Sequence, residues 1–512
     1  KGFCWLIESG HQHFSHDAEI PAQRLVRNGD KTTFTVDFIN KPTTWAKGKN
    51  ATMEMGFQPT PVKPIAKGFY RTAEHMYEYL APENAVWAKC IASPVIISPL
   101  TATIPTFPND DKTLQEYIIS TIGKTRPAEE RVHGWKFNHT KLSNDFQAVL
   151  GDFVKRNQDY FDRNGISATA YQTRQSIWWR QTYMKYLGSY MNPALLTCFW
   201  PEWEMYKSEW QQFNYPVENT MNEYMCSLVK SRRDKLLYDA RELVRLGFMG
   251  INFDCFPCGS GGGNTITSNA YHDTKGKLRH TCGGIMRWRL AVKRTAHMLY
   301  TEKKLVYGRP WVDVHTTMYM PIPLVSFAST ITTWERGSNG GDYQVRFPES
   351  TILADTIGTQ AGVYPFPIVS TRMGDDARKE RELKTLMSTM CSFGLMHIMD
   401  QGIIYRDWFD KAWNCIFDFG YGSDDVEHFF TWEKQPVTTD AKDIRMTIAK
   451  RKDGKTLLMI GNLGPAVSAK LNLDGLQYGK YSLSDAENGT AIAGNTIAVE
   501  ERGFALVLVE KQ

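Results

Sequence analysis

Long apolar runs are missing from this 512-residue chain. No stretch approaches the about 18 consecutive apolar residues of a membrane-spanning helix, so no membrane span is expected. A dominant charge of one sign is missing too. Lys and Arg total 60 against 55 Asp and Glu, a net +5 spread over the whole length. Nucleic-acid binders concentrate their basic residues, so no nucleic-acid partner is expected. Cysteine is sparse: nine residues at 4, 90, 198, 226, 255, 258, 282, 391 and 415, scattered and odd in number, which excludes a disulfide framework. Only Cys255, Cys258 and Cys282 are close enough for a local bridge. In an exported protein, Cys255 or Cys258 is expected to pair with Cys282 and close the glycine-rich excursion between them. Position 1 is Lys1 rather than Met, with no charged-then-apolar leader. The chain is therefore expected to start after a removed signal or at a cloning boundary.

What is present is globular. Apolar residues make up 42% and charged residues 22%, and the length suits two to four domains. Aromatics reach 12%, with 15 Trp, 23 Tyr and 26 Phe, enough for a core and for platforms that stack on sugar rings.

The texture changes twice along the chain. Residues 1–60 read as β: Thr33 to Ile39 alternates behind the Asn28-Gly29 turn signal, and Ala51 to Phe57 gives a further strand. Pro59, Pro61 and Pro64 then mark a linker, since proline is unsuited to helix interiors and central strands. From 61 to 428 helices alternate with short apolar runs. Candidate strands are Val95–Ser98, Ile166–Tyr171, Leu195–Trp200, Gly250–Asp254, Val312–Thr316, Val325–Thr330, Gly362–Val369 and Leu395–Met399. Eight βα units predict an α/β fold, a (β/α)8 TIM barrel. A doubly wound sheet competes, but no G-x-G-x-x-G follows any of these strands. Over 429–512 the β pattern returns: Ile444–Ala449 and Thr456–Ile460 flank Lys452-Asp453-Gly454-Lys455, and Asn488-Gly489 makes another turn. That predicts a C-terminal antiparallel β-sandwich.

Barrel chemistry collects where strands end. Trp200-Pro201-Glu202-Trp203-Glu204, Phe253-Asp254, Val314-His315, Trp334-Glu335-Arg336 and His397 with Asp400 lie at or just after the ends of predicted strands. Carboxylates beside tryptophans fit glycoside hydrolysis, which needs one acid for the leaving oxygen and one carboxylate as nucleophile or base. Asp254 and Glu335 are the expected catalytic pair. Asp254 must stay ionised, so it needs donors such as Asn252 or His315. Glu335 must hold a proton, and Trp334 can supply an apolar wall, while a contacting Arg336 would make it the base instead. Expected substrate contacts are Glu202, His315, Trp334, Trp203, Tyr171, His397, Asp400 and Trp179, with Glu202 the substitute partner if the pair is widely spaced. Retention is expected at a carboxyl separation of about 5–5.5 Å and inversion at about 6.5–9.5 Å.

Plainer readings stand beside each. Asp254 can cap a loop, Glu335 can pair with Arg336, Glu202 can pair at the surface, and Trp179 can be packing. Cys255-x-x-Cys258 lacks the second pair of a zinc site and the setting of a thioredoxin. His11, His13 and His16 read as a polar loop, so neither metal nor other cofactor is expected.

Several motifs resemble large bacterial multidomain proteins related to glycoside hydrolase family 123. These are Gln58-Pro59-Thr60-Pro61-Val62-Lys63-Pro64 after a β domain, Gly250–Asp254, Val314-His315, and Asp485-Ala486-Glu487-Asn488-Gly489 with Arg502-Gly503-Phe504. The resemblance spans roughly residues 20 to 510. It implies β-sandwich, TIM barrel and β-sandwich, a carbohydrate substrate, and export from a bacterium. Family 123 proper uses an adjacent Asp-Glu pair with the substrate's acetamido group, and no Asp-Glu dipeptide occurs here, so N-acetylhexosaminidase activity is not carried over. Asp254 after strand 4 and Glu335 after strand 6 are similar instead to retaining α-galactosidase-like barrels. There the strand-4 carboxylate attacks the anomeric carbon and the strand-6 carboxyl donates the proton. A non-catalytic glycan-binding protein on a degenerate barrel is the main alternative. A polysaccharide lyase using Tyr171 and His315 is the next.

Overall fold

The computed structural model describes residues 2–7, 20–48, 53–74, 83–88, 139–163, 168, 171–172, 175, 186–198, 202–212, 223–245, 247–254, 271–272, 278–279, 284–316, 321–333, 344, 347–355, 358–369, 375–395, 398–399 and 407–512.

Eight strands lie side by side in chain order and every neighbouring pair is parallel. They are β1 (Thr72–Glu74), β2 (Glu83–Ala88), β3 (Tyr186–Met191), β4 (Gly250–Phe253), β5 (Arg309–His315), β6 (Thr330–Thr333), β7 (Tyr364–Val369) and β8 (Ile398–Met399). A doubly wound sheet reverses its strand order at a switch point, whereas this order never reverses. It is the order of a (β/α)8 barrel. A β8–β1 pairing, which would close such a barrel, is not among the pairings of the described residues.

The expected strands 4, 5, 7 and 8 coincide with β4, β5, β7 and β8, and three others need correction. Ala168 and Tyr171 are helical rather than extended. Leu195–Thr197 is a strand, but it pairs antiparallel with Glu223–Met225 outside the parallel sheet. Ile322–Val325 is a helical turn, and β6 starts only at Thr330. Val95–Ser98 lies outside the described residues.

Alternation assigns the two faces of the sheet. Ile251, Phe253, Val312, Val314 and Ile331 pack with Leu236, Ala240 and Leu243 of helix Lys230–Arg245 and with Val292 and Leu299 of helix Ile285–Thr301. The opposite face carries Gly250, Asn252, Trp311, Asp313, His315, Thr330 and Thr332. In register, Gly250 faces Trp311, Asn252 faces Asp313, and His315 faces Thr332. Gly250 is fixed by this arrangement, since a Cβ there would stand 2.6 Å from the Trp311 ring.

At the amino-terminal side, the turn signal forms the hairpin Gln23–Asn28/Lys31–Val36, with Gly29 at φ +58°. Gly2–Ile7 pairs antiparallel with Met55–Thr60. The first proline of the expected linker, Pro59, thus sits in a two-stranded edge, which tolerates its missing N–H.

The C-terminal β region holds a five-stranded sheet (Val426–Phe429, Ile444–Arg451, Lys455–Asn462, Phe504–Lys511, Tyr481–Asp485 in spatial order) and a three-stranded one (Thr438–Thr439, Val467–Asn472, Thr496–Val499). Leu458, Ile460, Val507 and Val509 meet Ala469, Leu471, Ile497 and Val499 between the sheets. Leu457, Met459 and Leu506 point the other way, into the cluster that contains Leu383, Met387 and Met390 of helix Asp376–Phe393. Burial on both faces explains the unbroken run Leu457-Leu458-Met459-Ile460. Gly461 lets helix and strand approach: a Cβ would lie 2.0 Å from Ser392 Oγ and 2.1 Å from the Ser388 carbonyl.

Candidate active site

Asp254 follows the last residue of β4, at the carboxyl end of the parallel sheet. Its backbone is pinned by a 2.8 Å bond from Asp254 N–H to the Met191 carbonyl of β3. Tyr190 on β3 donates its hydroxyl to Oδ2, and His315 on β5 donates Nδ1–H to Oδ1. The side chains of His315 and Asp254 are 9% and 14% exposed, so both bonds form largely out of water. Hydrogen bonds donated to a carboxylate favour its charged form.

The expected donor Asn252 does something else. It sits two residues earlier on β4, one layer deeper, and its side-chain amide donates to Asp313 Oδ2. Thr332 of β6 donates to the same oxygen at 2.8 Å. Asp313 is fully buried, and burial pushes its carboxyl up to about 6, against the opposing pull of its hydroxyl and amide donors and of His315. A second carboxyl group therefore lies beneath Asp254, held by bonds within the sheet interior.

The remaining expected residues are placed as follows. Trp203 is buried, in a tilted contact with Tyr224 at 4.8 Å, and belongs to the helix-side core. Tyr171 is likewise buried, against Phe153 and Phe161. Neither offers a ring face to a ligand, because both were packed into apolar clusters. Glu202 lies beside the buried Lys235–Asp239 ion pair of helix Lys230–Arg245, where burial first and Glu202's charge last push the Asp239 carboxyl up against the pull of Lys235. It also lines an opening with Trp210 and Tyr238 on that helical side. Glu204 pairs with Lys207 at 2.6 Å on the surface. Trp179, Trp334, Glu335, Arg336, His397 and Asp400 lie outside the described residues, as do Cys255, Cys258, Cys282 and the His11/His13/His16 set. Among the described residues there is no group of three or more metal-ligating side chains.

Tyr190 is the residue that the sequence reading missed. The signal was available only once Tyr186–Met191 was known to be β3: its register puts Tyr190 opposite Asn252, on the site face.

No protein-family model matches this chain, and no curated protein matches it. The resemblance to relatives of family 123 therefore rests on its short motifs. Among solved structures, the chain is similar to a noncanonic maltogenic alpha-amylase from Thermotoga neapolitana, at 11% identity over 68% of this chain and 81% of that one, TM-score 0.40. A GH27 β-L-arabinopyranosidase from Geobacillus stearothermophilus aligns at 9% identity over 65% and 75%, TM-score 0.39. An alpha-galactosidase I from Mortierella vinacea aligns at 11% identity over 66% and 79%, TM-score 0.39. These neighbours are glycoside hydrolases. Likeness at that level carries no argument about the present chain, whose chemistry has to be argued from its own residues.

Proposed function

We propose that the chain is a glycoside hydrolase acting on a poly- or oligosaccharide, with Asp254 as nucleophile and Glu335 as acid and then base. One observation carries this reading: a carboxylate at the carboxyl end of β4, with one oxygen bonded by Tyr190 and the other by His315. Bonds donated to both oxygens favour the charged form and fix the group in direction, as a nucleophile requires. In sequence, Glu335 follows the last residue of β6 by two positions. In the retaining course, Asp254 attacks the anomeric carbon while Glu335 protonates the departing glycosidic oxygen. Glu335 then takes a proton from water, whose oxygen displaces Asp254 and restores both groups. The proposal includes a barrel over 61–428 between a β segment at 1–60 and a sandwich at 429–512, kinship with bacterial relatives of family 123, and export.

A second reading has one observation in its favour. With Tyr171 in the core, the expected lyase pair is gone, yet Tyr190 and His315 meet at one carboxylate and form another Tyr–His set. A lyase would use one of them to remove the proton next to a uronate carboxyl, and the glycosidic oxygen would leave with its electron pair.

A panel of oligosaccharides, with products weighed by mass spectrometry, separates the readings. Products that gain one water establish hydrolysis, an unsaturated product establishes elimination, and the absence of turnover leaves only binding. Asp254→Asn and Glu335→Gln are each expected to lower kcat by about 10³-fold or more while substrate still binds. A near-wild-type rate in either removes that residue from the mechanism.

A further inference from the structure

The opposite end of the parallel sheet carries a second opening, of about 1190 Å³, far from Asp254 along the strands. Its walls come from segments that precede strands: Tyr70 before β1 and Thr359-Gln360 before β7, together with the Thr60–Ile65 segment and the stretch from Glu427 to Glu433. Lys63 ties this end together, donating to the carbonyls of Ser326 and Ala328 ahead of β6.

Three features define what it would hold. First, one wall is a stack of rings. His428 lies on the strand Val426–Phe429, and Phe430 and Trp432 follow it in the turn closed by the 2.9 Å bond from Glu433 N–H to the Phe430 carbonyl. Tyr70 stacks on His428 at 5.4 Å and on Phe430 at 5.7 Å, and Phe430 stacks on Trp432 at 4.9 Å with 6° between planes. The half-exposed Trp432 ends the stack. Second, the side-chain carbonyl of Gln360 is buried at the groove without a hydrogen-bond partner. A buried acceptor left open is costly unless something donates to it. Third, charge is balanced. Lys63 and Lys67 face Glu427 and Glu433, and burial lowers His428 to about 4, so that it is neutral. A polyanion or polycation would find no complementary field here. The volume exceeds the roughly 300–1,000 Å³ of small-molecule sites, which suits a chain.

We infer that this groove is a non-catalytic binding site for a neutral oligosaccharide segment, whose apolar ring face continues the stack at Trp432 and whose hydroxyl donates to Gln360. The inference rests on the proposed glycosidase reading only for the choice of polymers to test. It places a second hold on a polymer at the end of the sheet remote from Asp254.

The test uses the full chain carrying Asp254→Asn, run through native gels containing soluble neutral polysaccharides. At least one is expected to retard it. Adding Trp432→Ala or, separately, Gln360→Met is expected to weaken that retardation about tenfold, with the thermal transition of each variant confirming its fold. In the active chain, Gln360→Met is expected to leave kcat/KM on a short chromogenic glycoside within twofold. No retardation by any neutral polysaccharide, or retardation unchanged in a folded Gln360→Met variant, overturns the inference. Binding that depends on Gln360 in a chain that hydrolyses nothing sinks the glycosidase proposal and leaves the groove standing.

Discussion

Two interiors in this molecule are built on opposite plans. Between the C-terminal sheets, Ile448, Leu458, Ile460, Ala469, Leu471 and Val507 form an almost wholly apolar layer. Inside the parallel sheet, Asn252, Asp313, His315, Thr330 and Thr332 are buried as deeply. Each apolar square ångström removed from water stabilises by about 25 cal/mol. Each buried polar group costs unless it is bonded. The first interior is therefore the stabilising one, while the second gives up part of its stability to a polar layer. In it Asn252 Nδ2 and Thr332 donate to Asp313 Oδ2, and Asn252 Oδ1 and Asp313 Oδ1 find no partner among the described residues. That layer lies directly under Asp254. The contrast locates the candidate site more firmly than any single residue does, because nothing in packing alone calls for a carboxyl group at position 313.

The contrast breaks first if the two interiors respond alike to substitution. Leu458→Ala removes a fully buried side chain from the apolar layer and is expected to cost about 2–5 kcal/mol in chemical denaturation. Activity per folded molecule should not change, since Leu458 faces the sandwich. A loss of specific activity at constant folded fraction would mean that the sandwich reaches the site.

A somewhat smaller effect should appear with pH. The ordinary value for the Asp313 carboxyl is 3.8, and burial raises it to about 6 in the folded chain. Between those values the folded chain binds more protons here than the unfolded one, so stability from this group falls as pH rises and is flat above about 6. The span corresponds to a change on the order of 3 kcal/mol. Other carboxylates titrate in the same range, so the quantity to measure is wild-type stability minus that of Asp313→Asn, at pH 4 and at pH 7. The difference should be lower at pH 7. No change with pH would show that Asp313 is equally ionised in both states.

The same contrast explains what could be read in advance. β4, β5 and β7 were legible because their helix-facing residues, such as Ile251, Phe253, Val312 and Val314, give short apolar runs bounded by turns. β3 reads Tyr-Leu-Gly-Ser-Tyr-Met, with Gly188 and Tyr190 on the polar-interior face and the polar Ser189 interrupting the helix-facing one, and an apolar-run criterion passes over it. β6 reads Thr-Ile-Thr-Thr, and the reading settled on the more apolar Val325 stretch nearby, which is helical. Asp254 and His315 stand out as candidates because they end legible strands. Tyr190 was lost with β3. Trp203 and Tyr171 were misassigned because aromatic residues look alike in sequence whether they stack on a ligand or on Tyr224 and Phe161.

The smallest change sharpens the comparison most. Thr332→Val keeps nearly the same shape and removes one hydroxyl that donates to Asp313 Oδ2 at 2.8 Å, in a residue 4% exposed. If that bond serves a charged acceptor, its loss should cost about 2 kcal/mol; for a neutral acceptor about 1 kcal/mol is expected. Asp313 is charged at pH 7 and neutral at pH 4, so the variant should lose more stability at pH 7. The sign follows from the donor's role: a hydroxyl that stabilises the carboxylate holds its titration down, and without it Asp313 should titrate higher still. Denaturation of both chains at the two pH values reads this directly. An equal loss at pH 4 and pH 7 would make Thr332 a packing contact, and the polar layer would then differ from the apolar one in composition but not in how it responds to charge.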